Sequence, residues 1–129
     1  MLFKENKKRL YIAYYTRGTA LLLAPKKPSF MAYDTIRYHA FDTVLRSGQV
    51  VWQYQEQSVV SRTDKLVAVM LLGKLHPSWT KDLISKWLRT VPVVQYNMLL
   101  PVAVPVVQYN MSHHWVWAAI DTLVRVGAL

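Results

Sequence analysis

Apolar residues in the N-terminal half recur at steps that predict helices. Residues 9–24 are mostly apolar apart from Arg17 and end before a proline, which predicts a short amphipathic helix. Residues 29–47 predict a second helix that ends near Gly48. Residues 49–60 show no clear period and are interpreted as a loop. The stripe of the second helix consists of residues three or four apart: Tyr33, Ile36, Ala40 and Val44.

The C-terminal half predicts further helical segments. Ser61 and Asp64 are spaced like a capping box and open an apolar run over residues 66–75. A helix is expected to start at residues 77–78, and a terminal helix after Ser112. The apolar face of the helix that starts at residues 77–78 consists of Trp79, Leu83, Trp87 and Leu88. The apolar face of the terminal helix consists of Trp115, Ala119, Leu123 and Val126.

Residues 90–120 contain no Asp, Glu, Lys or Arg, although charged residues make up 18% of the chain. This uncharged segment is long enough to cross or enter a bilayer, because a helix spans the hydrocarbon layer with about 20 apolar residues. Pro92, Pro101 and Pro105 each remove a backbone donor, which disfavours one straight helix. Such breaks at membrane depth require neighbouring helices or water to satisfy the freed carbonyls. The segment therefore predicts a broken membrane segment in contact with other protein.

An octamer, Val-Pro-Val-Val-Gln-Tyr-Asn-Met, occurs twice in this segment, at residues 91–98 and again at 104–111. The offset of 13 residues puts the copies about 140° apart around a helix and on opposite faces of a strand. Neither geometry requires the copying. A recent duplication, or an error in assembling the sequence, explains the identity better than function does.

Charge is distributed unevenly over a chain of net charge +9. Of the 16 Lys and Arg and the 7 Asp and Glu residues, only Asp121 and Arg125 follow Thr90. Basic flanks beside anionic headgroups predict this distribution, with about 1 kcal/mol from each Lys or Arg near the surface. A basic, aromatic-rich nucleic-acid binder would share the composition but does not predict the split. We therefore expect a membrane-associated protein, with a soluble basic RNA-binding or ribosomal protein of the mitochondrion as the alternative.

Two groups of residues are candidates for membrane contact. Basic side chains that could bind the headgroup of an anionic phospholipid such as cardiolipin are Lys26, Lys27, Lys81, Lys86 and Arg89. Tryptophans that flank apolar runs, as interfacial aromatic residues do, are Trp79, Trp87, Trp115 and Trp117. A stripe packed in a core explains the spacing of Trp79 and Trp87 nearly as well.

Catalytic and metal chemistry find little support in the residues. The absence of cysteine excludes disulfides, thiolate nucleophiles and Cys-based zinc sites. His113 and His114 are adjacent and cannot share one helical face, so we expect no metal site. Asp34 and Asp42 would lie more than about 10 Å apart along a helix, too far for paired acid and base chemistry. We expect no enzyme, no cofactor other than bound phospholipid and no small-molecule substrate.

Three short blocks of the sequence follow the pattern of a known family. The residues of the first block are Arg9, Tyr11, Ala13, Tyr14, Gly18, Ala20 and Pro25, and those of the second are Ala32, Tyr33, Tyr38 and Asp42. The third block is residues 90–94, or equally 104–107, with Ile120 and Asp121 beyond it. The blocks resemble the mitochondrial fission process protein family, small integral proteins of the mitochondrial inner membrane. The resemblance implies a helical, non-enzymatic inner-membrane protein linked to organelle division and to the energetics of the respiratory membrane.

These observations together predict an all-α fold: a small integral or membrane-embedded helical protein with Pro-broken apolar segments and amphipathic surface helices. One domain is expected over residues 1–129, with a basic amphipathic segment over 1–28 and the uncharged membrane segment and terminal helix over 90–129. The expected role is that of a structural or accessory subunit of an inner-membrane respiratory or ATP synthase assembly, or a part in inner-membrane fission and integrity. Its expected partners are membrane lipids and other inner-membrane subunits, without nucleic acid.

Overall fold

The chain folds into one antiparallel sheet with two helices. The structure is a computed structural model that describes residues 8–26, 28, 34–58, 65–93 and 104–129, with 104–110 described by their backbone alone. The strands are β1 (Arg9–Tyr15), β2 (Gly18–Ala24), β3 (Ile36–Val44), β4 (Val50–Ser58) and β5 (Leu66–Lys74), and the helices are α1 (Lys81–Leu88) and α2 (Val104–Arg125). The strand order is β4-β3-β2-β1-β5, and each pair of neighbours is antiparallel.

Strands β1 and β2 form a hairpin joined by a two-residue turn. Tyr15 pairs with Gly18, so Thr16 and Arg17 make the connection. Aromatic and β-branched residues in β1 favour the extended backbone. Strand β2 is central and buried along nearly its whole length, which makes it a continuous apolar run rather than an alternating one.

Strands β3 and β4 form a second hairpin that pairs over its whole length, from Ile36 with Ser58 to Val44 with Val50. Gly48 closes its turn with φ 86°, a conformation that residues with a side chain rarely adopt. The Gly48 amide donates to the Leu45 carbonyl at 2.9 Å.

Both helices contribute to a core on one face of the sheet. Helix α2 packs on β2 and β3 and also contacts α1. Helix α1 begins after Thr80, whose Oγ1 accepts from the Leu83 amide at 3.2 Å. The buried residues of this core include Leu10, Ile12, Leu21, Leu23, Tyr38 and Trp52 from the sheet, Ile84 and Leu88 from α1, and Trp115, Ala119 and Leu123 from α2.

The prediction of an all-α protein is wrong. Residues 9–24, predicted as one helix, form the β1–β2 hairpin, and strand β4 occupies most of the predicted loop at 49–60. The described part of the predicted second helix contains β3, and the apolar run at 66–75 contains β5. The cause in the first case is that a hairpin of two apolar strands was interpreted as a single helical run.

The prediction of a membrane protein with a transmembrane helix is also contradicted. Neither helix described by the structure is long and apolar enough to cross a bilayer. The described part of the uncharged segment packs into the core instead: Val91, Met111 and Trp115 are at most 7% exposed. Burial in the core explains the lack of charge at these three positions.

Two predicted helices exist with different limits. Helix α1 begins at Lys81, a few residues beyond the expected start, and α2 begins at Val104 rather than after Ser112. The proposed capping box of Ser61 and Asp64, together with Pro101, lies outside the described residues.

Candidate functional site

Strands β2 and β3 separate at one end of the sheet. Their ladder covers only residues 21–23 of β2 and 36–38 of β3. Strand β2 nevertheless starts at Gly18, and β3 continues beyond His39 to Val44 in full pairing with β4. The first residues of β2 and the second half of β3 therefore border a cleft, which we call the β2–β3 cleft.

Helix α2 reaches this cleft through Ser112. The Ser112 side chain is buried, and its Oγ accepts a hydrogen bond from the Thr19 amide at 3.1 Å. A Cβ atom on Gly18 would lie 2.7 Å from Ser112 Oγ, closer than any side chain allows. Gly18 is therefore required for this close approach between helix and strand.

His113 adds a second contact between α2 and β2. Its Nε2 accepts from the indole N–H of Trp117 at 2.8 Å. A neutral ring then carries its proton on Nδ1, which lies 3.4 Å from Thr19 Oγ1 and can donate to it. Both ring nitrogens of His113 are thus engaged: the contact with Trp117 lies within α2, and the contact with Thr19 joins α2 to β2.

The β2–β3 cleft contains a pocket of about 160 Å³. Because one water occupies about 30 Å³ in the liquid and pockets for drug-sized ligands usually exceed about 300 Å³, the pocket suits a small molecule. Its lining combines aromatic walls with polar and charged groups. The lining residues are Tyr15, Arg17, Gly18, Thr19, Ala20, Arg37, His39, Ala40, Phe41, Asp42, Trp52 and Ser112.

Arg37 is the unusual member of this lining because it is a buried cation, 6% exposed. Its guanidinium lies 5.1 Å from the ring centroid of Tyr15. With the Gln57 amide in the orientation that satisfies both residues, Gln57 Oε1 accepts from Arg37 Nε at 3.2 Å and also from Nη2. No described carboxylate forms an ion pair with Arg37. Its known contacts are therefore with neutral groups.

His39 lies on β3 two residues after Arg37. Its Nε2 is 3.0 Å from Gln55 Oε1, an acceptor, so Nε2 carries a proton. The imidazole also stacks on Phe41, with ring centroids 5.8 Å apart. Gln55 and Gln57 on β4 thus hold the two cationic or titratable side chains of β3 in place.

A second polar cluster lies beneath α1, on the core side of the sheet. Glu56 accepts hydrogen bonds from Tyr54 Oη and from Arg89 Nη2, each at 2.6 Å. Burial acts to raise the pKa of Glu56, but hydrogen bonds from Tyr54, Arg89 and Ser85 outweigh it and bring the pKa below its usual value. All members face one another, so we interpret this cluster as a tie between β4 and α1.

The tyrosines of this region are kept neutral. Burial, followed by the hydrogen bond to Glu56, raises the pKa of Tyr54 well above its usual range. Burial also raises the pKa of Tyr38 to about 12. Neither phenol is suited to act as a base near neutral pH.

The basic residues predicted to bind lipid headgroups do not form one site in the described structure. Lys26 follows β2, Lys81 and Lys86 are exposed on α1, and Arg89 ends α1 in its ion pair with Glu56. Lys27 lies outside the described residues. Binding of anionic phospholipid by these side chains stays a prediction.

The four predicted interfacial tryptophans have different surroundings. Trp115 lies in the core, 2% exposed, with its ring centroid 5.4 Å from that of Tyr54. Trp117, two residues further along α2, is 48% exposed. Trp79 and Trp87 are half-buried against the same core. For Trp79 and Trp87 these contacts agree with the alternative interpretation, a stripe of side chains packed on the core.

Among the described residues no three His, Asp or Glu side chains are arranged to hold a metal ion. Asp42 lines the β2–β3 cleft, whereas Asp34 bonds to Thr35 and lines a different pocket next to Lys8. Sequence reasoning missed Arg37, His39 and Ser112 as a group. The available signal was a single arginine between apolar residues of an alternating segment, which marks a buried charge only once β3 is known to be a strand.

The chain matches one family model over residues 7–129, described as "Family of unknown function (DUF6914)". No curated protein and no solved structure matches it. The resemblance to the mitochondrial fission process family therefore stays a hypothesis.

Proposed function

We propose, for a chain that belongs to the family of unknown function DUF6914, that the β2–β3 cleft binds a small anionic molecule and catalyses no reaction on it. The ligand carries a carboxylate or phosphate group on a small apolar body. Arg37 is the residue that binds the anion.

The observation that carries this proposal is the buried charge of Arg37, which no carboxylate in the described part of the chain compensates. A guanidinium is always protonated in proteins. Buried charges are normally paired, because removing an ion from water costs several kcal/mol. Tyr15 and Gln57 offset part of that cost but supply no negative charge. An anionic ligand in the adjoining pocket would supply it.

The rest of the lining supports a ligand with both a charged and an apolar part. Arg17 stands at the exposed rim of the pocket, and Trp52 and Ala40 form a buried wall. Arginine binds carboxylate and phosphate groups through paired N–H donors. The small volume of the pocket favours a ligand the size of benzoate over a nucleotide.

Binding without turnover is supported by the surroundings of Ser112. A serine nucleophile requires a base that accepts its proton. Ser112 Oγ accepts a hydrogen bond from the Thr19 amide at 3.1 Å, and an amide donor cannot take up its proton. The adjacent His113 has both ring nitrogens engaged elsewhere.

RNA binding is less favoured by the described surface. Single-strand binders stack bases on accessible aromatic rings beside basic grooves. Here Tyr15 and Arg37, which share one face of the sheet, are 7% and 6% exposed. The inner-membrane location and the accessory-subunit or fission role stay predictions, and anion binding is compatible with them.

The test is isothermal titration of the purified full chain with benzoate, acetate and inorganic phosphate. We expect at least one anion to bind the parent chain and the Arg46→Met control, in which an exposed arginine of the β3–β4 turn is replaced. Arg37→Met should weaken that binding at least about tenfold, since a charge-assisted bond contributes about 1.5–3 kcal/mol.

Two results would overturn the proposal. One is equal binding by the parent chain and Arg37→Met, or no binding of any of the three anions at millimolar concentration. The other is hydrolysis of an activated ester, such as p-nitrophenyl acetate, that disappears in Ser112→Ala, because this would identify Ser112 as a nucleophile.

A further inference from the structure

Strand β5 is an apolar strand at the edge of the described sheet, where β1 is the one described strand that pairs with it. Its side chains are exposed on both faces over most of its nine residues. The exposed fractions are 39% for Leu66, 67% for Val67, 52% for Met70 and 47% for Leu71. On the side of β5 away from β1, where no described strand lies, backbone N–H and C=O groups could pair with a further strand.

The opposite edge of the sheet differs. Strand β4 carries Gln53, Gln55, Glu56 and Gln57 along its length. Polar and charged side chains protect edge strands from pairing with other chains. Strand β5 has no polar side chain from Leu66 to Leu72, so its edge lacks this protection.

Basic side chains stand at both ends of β5. Lys65 precedes the strand, and its carbonyl accepts from the Thr16 amide, which brings the β1–β2 turn beside it. Lys74 ends the strand directly opposite Arg9, and the Leu75 amide donates to the Lys8 carbonyl. Lys8, Lys65 and Lys74 are exposed and form no ion pair with a described carboxylate.

This charge pattern argues against a second copy of the chain as the occupant. In an antiparallel pair of two β5 strands with Met70 opposite Met70, Lys65 of one copy would lie opposite Leu75 of the other, one position from its Lys74. Like charges this close repel one another at both ends of the pair. A strand with acidic residues at both ends and an apolar centre would instead complement β5 throughout.

We propose that β5 docks an extended segment of a partner protein, added to the sheet as a sixth strand, in which acidic residues flank an alternating apolar centre. Main-chain hydrogen bonds supply the pairing, and Val67, Met70 and Leu71 contact its side chains. The docking edge is separate from the β2–β3 cleft and does not depend on the anion-binding proposal.

The probe is a capped peptide with a Val-Thr-Val-Thr-Val centre and two glutamates at each end. Its matched control has two lysines at each end. Fluorescence anisotropy with the full chain should show the acidic peptide binding at least about tenfold more tightly at low salt, because several charge pairs contribute together. The difference should shrink in about 1 M salt, where the screening length falls to about 3 Å.

Met70→Lys places a charge in the centre of the edge and should abolish binding of the acidic peptide. Val44→Lys is the matched control, because Val44 has a similar exposed fraction, 50%, and lies on β3, three strands away. If Met70→Lys fails to fold, amide hydrogen exchange on the unmodified chain replaces it, with slowing expected in β5 when the acidic peptide is added.

The proposal fails if the two peptides bind equally, if Val44→Lys and Met70→Lys behave alike while both are folded, or if β5 amides exchange at an unchanged rate. It also fails if sedimentation shows a dimer that Met70→Lys dissociates, since the occupant would then be a second copy.

Discussion

Arg37→Met should stabilise the unliganded protein. Methionine replaces the apolar stem and much of the volume of the side chain but is shorter and removes the charge. The effective cost of burying an ion is several kcal/mol. Against this, the Tyr15 ring contributes about 0.5–2 kcal/mol and the Gln57 hydrogen bonds about 1.5–3 kcal/mol. With about 5 kcal/mol as the burial cost, these contacts of about 2–5 kcal/mol together leave about 0–3 kcal/mol uncompensated, and the middle of that range, about 1–2 kcal/mol, is what the substitution would relieve.

Thermal unfolding measures this effect directly. For a chain of 129 residues, 1 kcal/mol corresponds to a shift in Tm of about 4 °C. We therefore expect Arg37→Met to raise the Tm of the unliganded protein by about 4–8 °C. A binding anion at 100 times its Kd for the parent chain should add about 2.7 kcal/mol to the parent chain and at most about 1.4 kcal/mol to a variant that binds it at least ten times more weakly. Arg46→Met, at an exposed site, should change neither quantity.

The opposite sign would refute the reasoning. If Arg37→Met lowers the Tm by several degrees in the absence of anions, the guanidinium is already compensated in the protein alone, and its burial is no sign of a missing ligand. Measuring both proteins with and without benzoate separates this result from a simple failure to bind, because the stability of the unliganded variant is read independently.

Three further predictions concern the fold and the ties between its elements. Gly18→Ala should lower the free energy of unfolding, measured in urea, by about 1–3 kcal/mol, because the new Cβ would lie 2.7 Å from Ser112 Oγ. Adding Ser112→Gly should recover part of this loss; additive effects of the two substitutions would contradict the contact. Glu56→Gln should lower the free energy of unfolding by about 0.5–1.5 kcal/mol at pH 7. Because folding lowers the pKa of Glu56, this difference from the parent chain should persist above about pH 4.3 and disappear as the pH falls through the folded pKa; a pH-independent difference would contradict it. Trp115→Ala should cost about 3–5 kcal/mol and Trp117→Ala less than about 1 kcal/mol, as measured by urea unfolding, since only Trp115 is buried; similar costs would contradict the placement of α2.

Hydrophobic periodicity could not separate helix from strand in the N-terminal half. Ile36, Ala40 and Val44 are spaced by four residues, which places them on one face of a helix and, because four is even, also on one face of a strand. In β2 the side chains are buried on both sides of the sheet, so the alternation that would identify a strand is absent. The stronger signal was the composition of residues 9–24, whose aromatic residues and central turn favour a hairpin.

The candidate site was harder to predict than the fold, because its residues come from separate parts of the chain. Gly18 and Ser112 are distant in sequence and meet only when α2 packs across the start of β2. Arg37 has no neighbour in sequence that marks it as buried. The absence of charge in residues 90–120 was a correct sign of an apolar environment at Val91, Met111 and Trp115, but protein core and lipid exclude charge for the same reason, the cost of desolvating an ion. Periodicity and composition indicate that a residue lies in an apolar environment, but they do not identify whether lipid, a helix or a sheet surrounds it.

The repeated octamer demonstrates how strongly tertiary position decides local structure. At Val91 and Pro92 the Val-Pro pair follows the end of α1, where the Val91 amide donates to the Leu88 carbonyl at 3.2 Å. At Val104 and Pro105 the same pair opens α2. Proline lacks the amide that a helix interior requires but is well accommodated in a first turn, whose amides have no helical partner. One dipeptide can therefore follow the end of one helix and begin another, and the surrounding fold decides which.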